Sequence, residues 1–183
     1  MLPFTNETLQ TVKRQHLQAH GGGVINVNGT YYLVGEDKTD GSAFQNINCY
    51  SSKNLVEWSY ERAILTRTGS GDLGPNRVIE RPKVIYNEKT QQYVLLMHID
   101  SSNYGEAKVG FATSPTVCGG LYSYKGSVKP LGFQSRDMSA FVDDDGKGYL
   151  LSEDVGLRSI CIKDVRLIVN IAGKRSPDQL VER

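Results

Sequence analysis

The sequence predicts an all-β fold of the β-propeller type, with about three blades in its 183 residues. One observation is a pattern that occurs three times: an apolar strand, a polar turn, and a second strand that opens on tyrosine. Another is the composition, since ten tyrosines and nineteen glycines favour short strands joined by many turns. Units of four short strands that recur along a chain are typical of propeller blades.

The first repeat is VINVNGTYYLVGED at 24–37. Its Asn28-Gly29 pair predicts a two-residue hairpin turn, because both residues tolerate the left-handed backbone that such turns require. A second pair of strands is predicted from INCYSSKNLVEWSY at 47–60. Together these segments supply the four strands of one blade.

The second and third repeats are 84–100 and 140–154, with turns at 87–90 and at Asp145-Gly146. Tyr31, Tyr93 and Tyr149 occupy the same place in the three repeats. The segment 108–124 completes the second unit, and 156–169 is a fainter third copy. A β-sandwich would give a similar pattern and stays open as the alternative.

The domain organisation expected from these patterns is an N-terminal lead-in at 1–15, a partial propeller of three blades at 16–170, and a divergent tail at 171–183. The net charge of +1 gives no basic surface for nucleic acid or for acidic membranes. No apolar run approaches the roughly 18 residues of a membrane span, and the N-terminus has no signal-peptide core.

The three cysteines, Cys49, Cys118 and Cys161, have no metal-ligand spacing. One disulfide with a free thiol is one interpretation, and three small buried side chains is the interpretation we favour. The acidic run at 143–145 lacks the alternating spacing of a calcium loop, so we expect a tight hairpin turn there.

Three polar residues precede the repeats at equivalent positions: His20, Glu80 and Asp137. Inner strands of successive blades line one channel, so we expect these side chains to converge. Glycoside hydrolysis uses carboxyl groups that lie close together, as acid and base on either side of the scissile bond. Each also has a structural interpretation: His20 as a loop residue, Glu80 as a solvated strand entry, and Asp137 as a turn cap or the ion-pair partner of Arg136. The glycines at 21–23 predict a close backbone approach.

Five motifs carry a resemblance to a known family. The chain resembles glycoside hydrolase family 43, and within it the fungal galactan 1,3-β-galactosidase (exo-β-1,3-galactanase) branch, over roughly residues 15–158. The matching stretches are QAHGGGV (18–24), YYLVGEDK (31–38), ERPKVIYN (80–87), MHIDSSNY (97–104) and SRDMSAFVDDDGKGYL (135–150).

The resemblance implies a five-bladed propeller that is secreted and hydrolyses β-1,3-galactan or a related plant cell-wall polysaccharide, with no cofactor or metal and no nucleic-acid or membrane partner. Asp137 matches the family residue that orients the general acid and tunes its pKa. Glu36, Glu80 and Tyr104 fall in motifs that contact galactose, and His20 lies where the wider family keeps its base. The acid belongs to a fourth blade, so we expect an N-terminal fragment that is inactive alone.

Two rival functions remain at this point. One is a non-catalytic, carbohydrate-binding propeller remnant, and the other is an interaction scaffold whose polar residues have no common target. Clustering of Glu36, Glu80, Tyr104 and Asp137 in one pocket would separate both sugar-binding functions from the scaffold.

Overall fold

The computed structural model of the chain describes residues 16–154 and 159–164. This part of the protein is all-β, as predicted, and its strands form three antiparallel sheets. Two short 3₁₀ turns, Gly71–Leu73 and Pro130–Gly132, lie between strands. Within these residues no helix has the length and apolar character that crossing a bilayer requires.

The first sheet follows the chain order, because each strand pairs with the next through a short connection. Its strands are β1 (His20–Val27), β2 (Thr30–Glu36), β3 (Asn46–Ser52) and β4 (Ser59–Thr66). Asn28 and Gly29 connect β1 to β2 with φ angles of 52° and 74°. Both values lie in the left-handed region, so the predicted Asn-Gly hairpin turn is confirmed.

The second and third sheets repeat the same plan. The second contains β5 (Arg77–Asn87), β6 (Gln92–Ser101), β7 (Lys108–Ser114) and β8 (Ser123–Val128), and the third contains β9 (Met138–Val142), β10 (Gly148–Asp154) and β11 (Ser159–Asp164). The backbone N–H of Gly146 donates to the carbonyl of Asp143 at 2.9 Å, so the acidic run forms the expected hairpin turn.

The predicted equivalence of the repeats is confirmed. Tyr31, Tyr93 and Tyr149 are each the second residue of the second strand in their sheet. The described residues form three separate sheets, whereas a sandwich has two sheets that face each other. The sandwich alternative is therefore wrong.

Strand β6 lies between two hydrophobic cores. Its side chains alternate between the faces of the second sheet, as the two-residue period of a strand requires. Leu95, Met97 and Ile99 pack in the core shared with the first sheet. Val94 and Leu96 pack in the core shared with Met138 and Leu150 of the third sheet. The continuous apolar run of β6 thus reflects burial on both faces.

A disulfide joins Cys49 of β3 to Cys118 in the loop after β7. We favoured unpaired, buried cysteines from the sequence, and for Cys49 and Cys118 that interpretation is wrong. The two residues are 69 positions apart and become neighbours only when the first sheet packs against the second. The side chain of Cys161 lies outside the described residues.

The disulfide should stabilise the packing of the first two sheets. Replacing both cysteines, Cys49→Ala with Cys118→Ala, should lower the free energy of unfolding by about 2–5 kcal/mol. The reason is that the unfolded chain gains conformational entropy when a cross-link that closes a long loop is removed. Urea denaturation of the oxidised protein measures this. Dithiothreitol should destabilise the natural chain and leave the double variant unchanged, and a natural chain insensitive to dithiothreitol would contradict the assignment.

Candidate active site

A buried carboxylate lies where the first and second sheets meet. Glu36 is the last residue of β2, and its side chain is only 2% exposed. The ammonium group of Lys38 lies 2.6 Å from Glu36 Oε2 and donates to Glu80 Oε1 at 3.2 Å. Burial alone would lower the pKa of Lys38, but Glu36 and Glu80 raise it above its ordinary value. One charged lysine therefore bridges carboxylates from two sheets.

Arg81 connects this pair of sheets to the third. A bulge interrupts β5 between Glu80 and Lys83, and within it Arg81 has a φ of 56°. The backbone N–H of Arg81 donates to Glu36 Oε1 at 2.9 Å. Its guanidinium Nε donates to Asp137 Oδ1 at 2.6 Å, and Asp137 immediately precedes β9. A left-handed residue before proline is strained, so the surrounding contacts must hold it there.

Tyr104 contacts the same oxygen of Glu80 as Lys38 does. It lies in the loop between β6 and β7, and its hydroxyl donates to Glu80 Oε1 at 3.0 Å. Burial and the neighbouring charge of Glu80 raise the pKa of Tyr104, so its hydroxyl keeps its proton. The ring is partly exposed, which leaves a face for a ligand.

His20 borders the same group. It is the first residue of β1 and the ladder partner of Glu36, and its Nδ1 lies 3.6 Å from Glu36 Oε1. More than half of the His20 side chain is exposed, 56% by area. Asp137 is also largely exposed, at 67%. Both side chains thus lie at the solvent side of the group, with Glu36 beneath them.

The structure brings together all five residues that the sequence singled out, and we call them, with the two cations that join them, the inner cluster. Its members are His20, Glu36, Lys38, Glu80, Arg81, Tyr104 and Asp137. Asp137 pairs with Arg81 from another sheet, so the alternative that it simply neutralises Arg136 is wrong.

The glycines of β1 permit this close approach, as expected. A Cβ on Gly21, whose φ is 59°, would lie 2.7 Å from Glu36 Oε1 and 3.2 Å from Arg81 Nη1. A Cβ on Gly23 would lie 2.9 Å from Cδ of Lys83. The run thus makes room for Glu36 and for the bulge of β5.

Lys83 was missed by the sequence analysis. Its ammonium donates to the carbonyls of Gly21 at 2.8 Å and Gly22 at 3.2 Å, and so ties the bulge of β5 to β1. Burial and the positive charge of Arg81 lower the pKa of Lys83 to about 8. Lys38, Arg81 and Lys83 all lie inside motifs quoted for the resemblance, but only the fold reveals which oxygen atoms they contact.

The chain belongs to a known enzyme family. The model of the glycosyl hydrolases, family 43, matches residues 19–169, which is most of the sequence. The sequence motifs already implied this family. The residues that match its model include nearly all of those that the structure describes. No curated protein sequence matches the chain.

Solved structures give a narrower comparison. The exo-β-1,3-galactanase of Phanerochaete chrysosporium with galactose is 42% identical, with a TM-score of 0.83, over 87% of this chain and 38% of that one. The exo-β-1,3-galactanase of Clostridium thermocellum is 34% identical, with a TM-score of 0.81, over 87% of this chain and 37% of that one. The chain therefore spans less than two fifths of the length of these relatives. The Phanerochaete enzyme has also been solved with β-1,3-galactotriose.

Gly21 should tolerate a side chain poorly, because its backbone is left-handed and the Glu36 carboxylate lies close to it. Gly21→Ala adds a methyl group 2.7 Å from the Glu36 carboxylate and should lower stability by about 1–3 kcal/mol beyond the backbone strain. Gly29→Ala is the matched control, because Gly29 has a similar positive φ and nothing within 4 Å of the added carbon. Equal thermal midpoints for the two variants would show that the inner cluster does not need this approach.

Lys83 should give the protein a distinctive pH dependence. Its pKa rises from about 8 in the folded protein towards 10.5 in the unfolded chain, so the unfolded chain binds more protons between these values. The stability of the natural chain relative to Lys83→Met should therefore rise from pH 8 to pH 10.5. Denaturant titrations across this range measure it, with Lys89→Met in the exposed turn after β5 as the control. A constant difference would refute the depressed pKa.

Proposed function

We propose that this chain forms part of the substrate site of a glycosidase that hydrolyses β-1,3-galactan or a related plant cell-wall polysaccharide. One observation carries the proposal: residues from all three sheets meet in the inner cluster, in a family whose relatives include galactanases. An interaction scaffold would have no need to join Glu36, Glu80, Tyr104 and Asp137 at one place. Hydrolysis of this kind requires only carboxyl groups and water, with no cofactor.

The fold that suits this function is a five-bladed propeller, of which the three sheets are successive blades. The support is that each sheet contributes to the inner cluster at or just before its first strand: His20 on β1, Glu80 on β5, and Asp137 immediately before β9. Strand β5 contacts both β1 and β9, as inner strands around a common axis would. The expected lead-in at 1–15 and tail at 171–183 lie outside the residues that the structure describes.

Each member of the cluster has a proposed role. Glu36 and Glu80 accept hydrogen bonds from sugar hydroxyls, while Lys38 holds the two carboxylates side by side. Tyr104 offers its ring face, and His20 lies at the exposed edge of the inner cluster. Asp137 orients a general acid, which the family resemblance places on a fourth blade, and its negative charge favours the protonated form of that acid.

A carbohydrate-binding protein without catalysis is the second candidate function. The observation that favours it is that Glu36, Glu80 and Asp137 each have a cation as a partner, Lys38 or Arg81. A carboxylate beside a cation is a poor proton donor, because the positive charge favours its ionised form. Such a site can bind a polysaccharide, and we propose that either protein would act outside the cell.

A fusion protein tests the enzymatic proposal. The chain is joined to the part of the Phanerochaete chrysosporium enzyme that follows the matched region, and galactose release from β-1,3-galactan is measured. The fusion should hydrolyse the polymer, and the 183-residue chain alone should not. Asp137→Asn should lower kcat by about 10²–10⁴-fold, the usual value of general acid catalysis. Glu80→Gln should weaken substrate binding and raise KM.

Matched controls come from the same hairpins. Asp144→Asn changes an exposed carboxylate in the turn after β9, and Glu88→Gln changes one in the turn after β5. Both should leave kcat and KM at the level of the unmutated fusion. Binding of galacto-oligosaccharide without turnover would favour the carbohydrate-binding alternative. Turnover by the unextended chain, or full activity in Asp137→Asn, would refute the assigned roles.

A further inference from the structure

The turn between β1 and β2 has no role in the function proposed so far. Its two residues are Asn28 and Gly29, and Thr30 follows as the first residue of β2. The triplet Asn28-Gly29-Thr30 has the form Asn-x-Thr with no proline in the middle, which is the acceptor sequence for N-linked glycosylation of secreted proteins. Such triplets also arise by chance, so this one carries an inference only if the fold and the cell compartment fit it.

The fold places Asn28 where a large polar group has room. Asn28 and Gly29 are both exposed at the tip of the hairpin. A carbon added to Gly29 would meet nothing within 4 Å, so the space beside Asn28 is open to solvent. An oligosaccharide is bulky and hydrophilic, and an exposed hairpin tip can carry one without burying its hydroxyl groups.

An oligosaccharide on Asn28 would also leave the turn intact. The N–H of Gly29 donates to Oδ1 of Asn26 at 3.2 Å, so this hydrogen bond of the turn uses a different asparagine. Val27 and Thr30 pair in the ladder between β1 and β2 through their backbones. Attachment at Nδ2 of Asn28 therefore disturbs neither of these contacts.

The hydroxyl of Thr30 indicates when the modification takes place. In the folded chain it accepts a hydrogen bond from the ammonium group of Lys53 at 2.6 Å. An enzyme that recognises the triplet by its hydroxyl needs that group to be free. The acceptor is therefore available before the hairpin closes, while the chain is being synthesised.

The disulfide between Cys49 and Cys118 is an independent observation about the compartment. Disulfides of this structural kind form and persist in oxidising compartments such as the lumen of the secretory pathway, and they are rare in the cytosol. Cys49 lies on β3, which pairs with β2 in the same sheet as the turn. The compartment in which this sheet acquires its cross-link is thus the one in which N-linked oligosaccharides are attached.

We propose that Asn28 is a site of N-linked glycosylation, and that its oligosaccharide projects into solvent from the tip of the first hairpin. The donor class is an oligosaccharide joined to a lipid through a pyrophosphate. Nδ2 of Asn28 forms a bond to C1 of the first sugar while the bond from C1 to the pyrophosphate oxygen breaks. The lipid pyrophosphate leaves with that electron pair, Nδ2 loses one proton, and nothing is oxidised or reduced.

The proposed site lies far from the inner cluster. His20 and Glu36 are at one end of the hairpin, and Asn28 is at the other. A strand rises about 3.3 Å per residue, so the eight residues of β1 separate the turn from His20 by roughly 20 Å. The oligosaccharide therefore does not compete with a polysaccharide at the cluster, and the inference does not depend on the proposed function.

Mass spectrometry can report on Asn28 alone. A second triplet of the same form, at 6–8, lies outside the described residues, and trypsin separates the two. Cleavage after Arg14 and Lys38 releases the peptide 15–38, whose only asparagines are Asn26 and Asn28. Asn26 belongs to no acceptor triplet and serves as an internal control.

The 183-residue chain, preceded by a cleavable secretory leader, is produced in a eukaryotic host that adds high-mannose oligosaccharides. Endoglycosidase H then leaves one N-acetylglucosamine on each modified asparagine. The peptide 15–38 should gain the mass of that sugar, and fragmentation should place it on Asn28 and not on Asn26. Secreted and cell-retained protein are both analysed, so poor folding does not prevent the measurement. Unmodified Asn28 in both fractions overturns the proposal.

A matched pair of variants tests whether the triplet is responsible. Thr30→Val keeps Asn28 and the branched shape of the side chain but removes the hydroxyl, so the added mass should be lost. Thr30→Ser keeps a hydroxyl, so the added mass should remain. Asn28→Gln should lose it as well. Sugar that persists on the peptide in Thr30→Val would refute N-linked attachment at this triplet.

The active fusion protein tests the position of the oligosaccharide. When the fusion is made in the same host, trimming with endoglycosidase H should leave kcat/KM unchanged, because the site is remote from the inner cluster. A change on trimming would refute that placement. A fusion without galactanase activity would count against the proposed function, whereas the mass of the peptide 15–38 would still decide whether Asn28 is glycosylated.

Discussion

The three sheets depend on the conformation of one residue, Arg81. Its left-handed backbone costs about 1–3 kcal/mol. Two charge-assisted hydrogen bonds oppose that cost, one from its N–H to Glu36 and one from its guanidinium to Asp137. The bond to buried Glu36 contributes about 1.5–3 kcal/mol. The pair with Asp137, whose side chain is 67% exposed, contributes about 0–1 kcal/mol because solvent screens it, so the two bonds together are comparable with the strain. In the bulge of β5, the backbone N–H of Arg81 therefore holds Glu36 of the first sheet, and its guanidinium holds Asp137, which precedes the first strand of the third sheet.

Next to the bulge of β5, tightly packed cores lie beneath the inner cluster, and solvent-exposed side chains lie above it. The two cores hold β6 on both faces, and the disulfide fixes the first sheet against the second. Glu36 lies at the base of the inner cluster, almost entirely buried, whereas His20 and Asp137 lie at its rim. Close-packed interiors deform little, so the side chains at the rim are presented in a defined arrangement. A site that recognises a sugar needs this combination of fixed geometry and open access.

Sequence reasoning found the elements whose signals are local. The Asn28-Gly29 turn and the tyrosine at each second strand depend on a few neighbouring residues, and the structure agrees with them. The disulfide depends on sheet packing across 69 positions, so no local pattern could reveal it. The cations Lys38, Arg81 and Lys83 were missed for a related reason. In a sequence, a lysine or arginine in solvent cannot be distinguished from one that contacts oxygen atoms of two sheets, until the positions of those oxygen atoms are known.

The alternation along β6 has a consequence for how the protein can vary. Positions of one parity, such as Leu95 and Met97, belong to the interface with the first sheet, and positions of the other parity, such as Val94 and Leu96, belong to the interface with the third. A change of side-chain volume on this strand therefore loosens one interface and leaves the other packed. Substitutions on β6 can therefore change the packing against the first sheet and the packing against the third sheet independently.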